Sequence, residues 1–168
     1  MAFRRVLVLG GARSGKSAFA EQLATACGGS VVYVATATAS DAEMAERIAY
    51  HRARRPSDWL TLERQTALAQ GVPGDVQTVV VEDLTLLLSN HMQADSTTAE
   101  VNTVEEVEVL LGLEANVILV SNEVGMALVP MDPLGRQFRD ALGRVNQAAA
   151  AACGEVYLVV AGLPLKLK

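Results

Sequence analysis

The chain has 168 residues, 51% of them hydrophobic and 20% charged, a balance that argues against disorder and suits a globular domain with a real core. Its formal net charge of −5 argues against a broad nucleic-acid footprint and leaves only local basic patches to meet phosphates. No apolar run reaches the roughly 18 residues of a membrane span. Cys27 and Cys153 lack metal-ligand spacing, so they read as buried thiols of a reducing, cytoplasmic compartment rather than as a disulfide.

Taken in chain order, "MAFRRVLVLG" sets two arginines before an apolar run too short for a signal-peptide core, and its apolar part reads as a first strand over residues 3–9. Further β-branched, apolar runs predict strands over 31–35, 78–81, 117–120 and 156–160. Helices are predicted between them over 17–27, 41–55, 85–92, 98–113 and 133–153. Such alternation implies right-handed crossovers and a parallel sheet covered by helices on both sides. The closing "AGLPLKLK" is compatible with an edge strand or a packed tail, and "QGVPGD" reads as a turn-rich loop. No repeat or linker interrupts the pattern, so residues 1–168 are expected to form one α/β domain.

The first strand runs into "GGARSGKS", residues Gly10, Gly11, Ala12, Arg13, Ser14, Gly15, Lys16 and Ser17. This satisfies G-x-x-x-x-G-K-[ST], with a strand before it and a helix after it. Glycines let successive N–H groups turn toward one anion, and the helix N-terminus adds its dipole and free amides. Lys16 is expected to meet the β- and γ-phosphates, and Ser17 to help hold Mg²⁺. Such a site also needs a carboxylate at the end of a neighbouring strand. "VVVEDLT" offers Glu82 and Asp83: one for the metal or nucleotide, the other free to cap the helix that follows.

"SDAEMAERIAYHRARRPSDW" opens with a capping-box pattern and ends its helix before Pro56. His51 stands just before Arg52, Ala53, Arg54 and Arg55. Two readings stay open from position alone. One is a solvated basic face, with the imidazole at the negative end of a helix dipole. The other is a nucleophile: a neutral imidazole attacking the α-phosphorus of a nucleoside triphosphate, with arginines neutralising the charge that builds.

Over nearly its full length the chain resembles the bifunctional adenosylcobinamide kinase/adenosylcobinamide-phosphate guanylyltransferase family of cobalamin biosynthesis. The resemblance is carried by "GGARSGKS" and by "YVATATASDAEMAERIAYHRARRPSDWLTLE". "VEDLTLLLSN", "VSNEVGMALVP", "FRDALGRVNQ" and "VVAGLPLKLK" follow in the family's order. It implies a P-loop NTPase fold of the RecA-like kind, with a mostly parallel central sheet flanked by helices, and a homotrimer. It implies two reactions: ATP or GTP phosphorylates adenosylcobinamide, and GMP then passes from GTP through a histidine to adenosylcobinamide phosphate. The guanylylated histidine of the family corresponds to His51. Gly10–Ser17, Ala35, Thr36, Ala37, Arg52–Arg55, Glu63 and Glu82 correspond to nucleotide-binding positions. The chain departs from the family's pattern at Asp83, where cysteine is common, and at Ala127, where the second glycine of "NEVG-x-G" is common; Asp83 leaves open which carboxylate serves the metal.

Competing readings are a RecA-like ATPase that moves a partner or nucleic acid, and a relative that keeps only the kinase step. The first explains the cradle and Glu82 but gives no reason for a histidine among arginines. The second leaves His51 vestigial.

Overall fold

The computed structural model describes residues 3–37, 46, 49, 52 and 55–168. His51, Ala53, Arg54 and most of the helix predicted over 41–55 therefore lie outside the described residues.

The sheet has seven strands: β1 (Arg5–Gly10), β2 (Val31–Ala35), β3 (Leu60–Glu63), β4 (Thr78–Glu82), β5 (Asn116–Asn122), β6 (Glu155–Val160) and β7 (Leu163–Lys166), in the spatial order β3-β2-β4-β5-β1-β6-β7. Every neighbouring pair is parallel except β6 with β7, which form an antiparallel hairpin. The described helices are α1 (Lys16–Cys27), α2 (Leu84–Ala94), α3 (Ala99–Leu111) and α4 (Pro133–Ala152). None is long and apolar enough to cross a membrane. This is the α/β architecture expected from the alternation, with β5 between the P-loop strand and the strand that carries the acidic pair.

The inner strands are apolar on both faces because both are covered. Val6, Val8, Tyr33, Val80, Ile118 and Val120 pack with Ala20 and Ala24 of α1. Leu7, Val34, Val81, Val117 and Leu119 turn the other way, toward Leu84 and Leu87 of α2, Leu110 of α3 and Val145 and Ala149 of α4. Period-2 alternation thus assigns each residue of a strand to one of two cores.

Local chemistry fixes the ends. The Asp83 carboxylate caps α2 by accepting from Leu86 N at 2.8 Å, and Asp132 caps α4 by accepting from Gly135 N at 2.6 Å. The helix predicted over 98–113 stops at Leu111, because Gly112 turns the chain and its N–H caps the carbonyl of Glu108.

Two features went beyond the predicted elements. The four-residue strand β3 lies outside the predicted strands. "AGLPLKLK", left open between strand and tail, supplies β7. The paired arginines have structural partners: Arg4 chelates Glu155 at 2.8 and 2.9 Å, and Arg5 donates to the carbonyls of Leu111, Leu113 and Ala115, pinning the turn from α3 to β5. Both cysteines are free; Cys153 is buried, whereas Cys27 is partly exposed.

Candidate active site

The carboxyl ends of β1, β2, β4 and β5 meet at one edge of the sheet, where parallel α/β proteins bind ligands. Registration lines the residues up there. Ala35 pairs with Glu63 on one side and Glu82 on the other, and Gly10 pairs with Asn122.

Between β1 and α1 the chain makes the tight turn its glycines predict. Gly15 sits at φ 95°, and a Cβ there would come within 3.1 Å of the Gly162 Cα. At Gly10 an added Cβ would lie 2.4 Å from Ser14 Oγ and 2.8 Å from the Val159 carbonyl. Each position therefore requires glycine, the first for conformation and both for close approach. The loop is also braced from the far end of the chain, since Gly162 N donates to the Ser14 carbonyl at 2.8 Å. Lys16 is 4% exposed, and its Nζ donates to the Gly11 carbonyl at 3.4 Å, so the ammonium lies within the loop it serves.

Glu82 faces this loop. Its Oε1 accepts from the Ser17 hydroxyl, joining the acidic strand to the first turn of α1. Its Oε2 is buried and has no hydrogen-bond partner among the described residues. Burial, followed by the neighbouring charge of Asp83, pushes this carboxyl up to about 7, against the opposing pull of Ser17 and Lys16. A buried carboxylate oxygen without a partner beside a serine hydroxyl is a hard, oxygen-only donor set that suits Mg²⁺. Asp83 has other work: one oxygen caps α2 and the other accepts from Asn122 Nδ2 at 3.4 Å. In position the two carboxylates differ: Glu82 bonds Ser17 at the loop, and Asp83 turns to Leu86 N and Asn122.

Thr36 is 1% exposed, and its hydroxyl is engaged with the backbone of the acidic pair, accepting from Asp83 N at 2.7 Å. Its carbonyl in turn accepts from Asn90 Nδ2 at 3.2 Å. Thr36 therefore acts on Glu82 and Asp83 through their main chain, while Ala35 and Ala37 leave the strand end free of bulk. Arg52 and Glu63 are both largely exposed and meet at 3.0 Å. Arg55 stacks on Tyr33, its guanidinium carbon 3.9 Å from the ring centre, and donates to Thr61 at 3.2 Å. That places Arg52, Arg55 and Glu63 around β2 and β3, on the side of Glu82 away from β1. The other histidine, His91, bonds Glu106 at 2.9 Å, and the same carboxylate accepts from the amides of Ala67 and Leu68. That group ties a loop to α3.

No local sequence pattern marks the contacts of Asn122, Thr85 or Gly162. Asn122 bonds Thr85 through both its main-chain and side-chain nitrogens, at 3.0 and 2.9 Å, besides reaching Asp83. Its place at the tip of the strand beside the cradle, within "SNEVG", was the available signal.

A strand-loop-helix phosphate cradle joined to a strand-end carboxylate is common to many nucleotide enzymes, and comparison of the whole chain narrows the choice. The model of the family described as cobinamide kinase / cobinamide phosphate guanyltransferase matches residues 6–167. The chain belongs to that family. It is similar to the bifunctional adenosylcobalamin biosynthesis protein CobP of Pseudomonas aeruginosa, with 46% identity over 98% of this chain and 97% of the relative. It is also similar to the bifunctional adenosylcobalamin biosynthesis proteins CobU of Escherichia coli and Salmonella typhimurium. These are 41% and 39% identical to it, each over 97% of this chain and 99% of the relative.

Proposed function

We propose that this chain phosphorylates adenosylcobinamide and then guanylylates the product. In the first reaction the aminopropanol hydroxyl of adenosylcobinamide attacks the γ-phosphorus of ATP or GTP. An O–P bond forms, the bond to the β-phosphate oxygen breaks, and the hydroxyl proton is released with the nucleoside diphosphate. In the second, the His51 imidazole attacks the α-phosphorus of GTP and expels pyrophosphate. A phosphate oxygen of adenosylcobinamide phosphate then takes the GMP and restores the histidine, giving adenosylcobinamide-GDP.

The observation that carries this reading is the Ser17–Glu82 junction inside a chain that matches the family from residue 6 to residue 167. The cradle amides and Lys16 hold the phosphates, so that γ-transfer depends on position and charge neutralisation. Ser17 and Glu82 would hold Mg²⁺, which when bound would neutralise charge on the phosphates. Arg52, Arg54 and Arg55, with Glu63 and the strand end at Ala35–Ala37, would receive the rest of the guanine nucleotide beside His51. The assembly we propose is a cytoplasmic homotrimer with small-molecule partners and no nucleic acid.

The test is purified protein with adenosylcobinamide, GTP and Mg²⁺, its products resolved by mass. Formation of adenosylcobinamide phosphate and then adenosylcobinamide-GDP is expected. With α-³²P-GTP and no acceptor, the protein should carry an acid-labile label. GTP hydrolysis with neither product would overturn the reading in favour of a motor-type ATPase.

A further inference from the structure

Resting on that reading of the acceptor, we propose that the loop from β5 to α4 is the surface on which the corrin ring of cobinamide lies, with Met126, Leu128, Val129 and Met131 as its apolar floor. The loop begins at the cradle. Gly10 pairs with Asn122, and the next residue, Glu123, donates its N–H to the Gly10 carbonyl at 3.0 Å. Residues 124–131, "VGMALVPM", carry no charge. Within them Met126 is 81% exposed, Leu128 94%, Val129 64% and Met131 98%.

Side chains of this kind gain free energy when they are taken out of water. A run of them at the rim of a catalytic site marks a place where something apolar sits. The display is also held in shape. Arg136 Nη1 donates to the carbonyls of Pro130 and Met131 at 2.9 and 2.7 Å, Asp132 closes the head of α4, and Val124 packs against the cluster of Leu88, Ala99, Ala141 and Leu142 at the other end. The backbone is anchored at both ends while the apolar side chains face outward.

The occupant follows from the chemistry. A kinase acceptor must bring its hydroxyl to the terminal phosphate on the cradle, so the bulk of the acceptor rests on the cradle's rim. On the β2–β3 side that rim is charged, with Arg52, Arg55 and Glu63. On the β5 side, beyond Glu123, residues 124–131 carry no charge and are mostly apolar. A corrin is a broad conjugated macrocycle with apolar faces and amides at its edge, and it matches the second surface. Thioether side chains adapt to so irregular a face.

Equilibrium dialysis of cobinamide against the full-length chain tests the assignment, with light scattering giving the molar mass of each sample. In a Leu128→Asp/Met131→Asp double variant the Kd is expected to rise about tenfold to a hundredfold, the loss for one or two buried apolar side chains. Its molar mass and melting temperature should match wild type, since both side chains face solvent. Leu128→Met should hold Kd within about threefold. An unchanged Kd in the double variant overturns the proposal. So does a fall in molar mass, which would assign the face to a second copy of the chain. Wild-type protein that binds cobinamide through this loop without phosphorylating it would support the docking surface and sink the functional reading. Wild-type protein that does not bind cobinamide would overturn both.

Discussion

Ser17 and Glu82 are hydrogen-bonded across 65 residues of sequence, joining the first turn of α1 to the end of β4. The pair sets the carboxylate against the cradle, and the second oxygen of Glu82 stays buried without a partner among the described residues.

Replacing Glu82 by Gln keeps the shape and removes the anion. Both reactions should fall about a hundredfold or more at fixed Mg²⁺, the scale of losing one preorganised electrostatic group. Asp83→Asn preserves the helix cap, because Asn caps about as well as Asp. It should remain within about tenfold of wild type, since Asp83 lies behind Glu82. Mg²⁺ titrations of both variants check this, and a reversed order would move the metal role to Asp83.

Gly15→Ala puts a Cβ on a residue at φ 95° and presses it against Gly162. Strain of this kind costs about 1–3 kcal/mol. GTP affinity should fall together with a drop in melting temperature. Gly11→Ala, where an added Cβ meets nothing within 4 Å, should leave the melting temperature nearly unchanged.

The outline of the fold was legible because β-branched runs buried on two faces have few other ways to fold, and the cradle was legible because its spacing is set by phosphate geometry. The strand β3 escaped notice because Leu60–Glu63 is short and only half-covered at the edge of the sheet. The bracing contacts of Thr36 and Asn122 were illegible for another reason. Each acts through partners 37 to 54 residues away, and no local pattern announces such a partner. Gly162 reads locally as a turn residue, and only the folded chain shows that it bears on Ser14.

His51→Ala should abolish the acid-labile GMP label while leaving measurable formation of adenosylcobinamide phosphate. Nucleotidyl transfer loses its covalent relay, whereas γ-transfer uses the hydroxyl of the acceptor. Label formation in wild type should decline as pH falls through the imidazole range, about 6.5 when unperturbed, because only the neutral ring attacks. A label retained in the variant would place the nucleophile elsewhere.

The Arg4–Glu155 pair sets a pH dependence of stability. Hydrogen bonds from Arg4 hold the Glu155 carboxyl below its usual range. A depressed folded value means the stabilisation is fully present above the unfolded glutamate value of about 4.3 and is lost as pH falls through the lower, folded value. Both side chains are partly exposed, so solvent screening limits the pair to about 0.5–1 kcal/mol. Glu155→Gln should melt a few degrees below wild type at pH 7, and the gap should close in strong acid. Melting curves across pH 2–8 measure it, and a gap independent of pH would assign the loss to packing.

The brace from Gly162 to Ser14 gives the phosphate site a position in time. β1 pairs only with β5 and β6, so the strand that leads into the cradle waits for residues 116–122 and 155–160 before it has neighbours. On a ribosome the P-loop residues emerge before the two strands that flank β1 and are seated only after both. A nascent chain stopped before residue 162 carries the phosphate-binding sequence without the support its loop uses. The ability to hold a nucleotide should therefore appear only once residue 162 has been made, when β1 to β6 are already available.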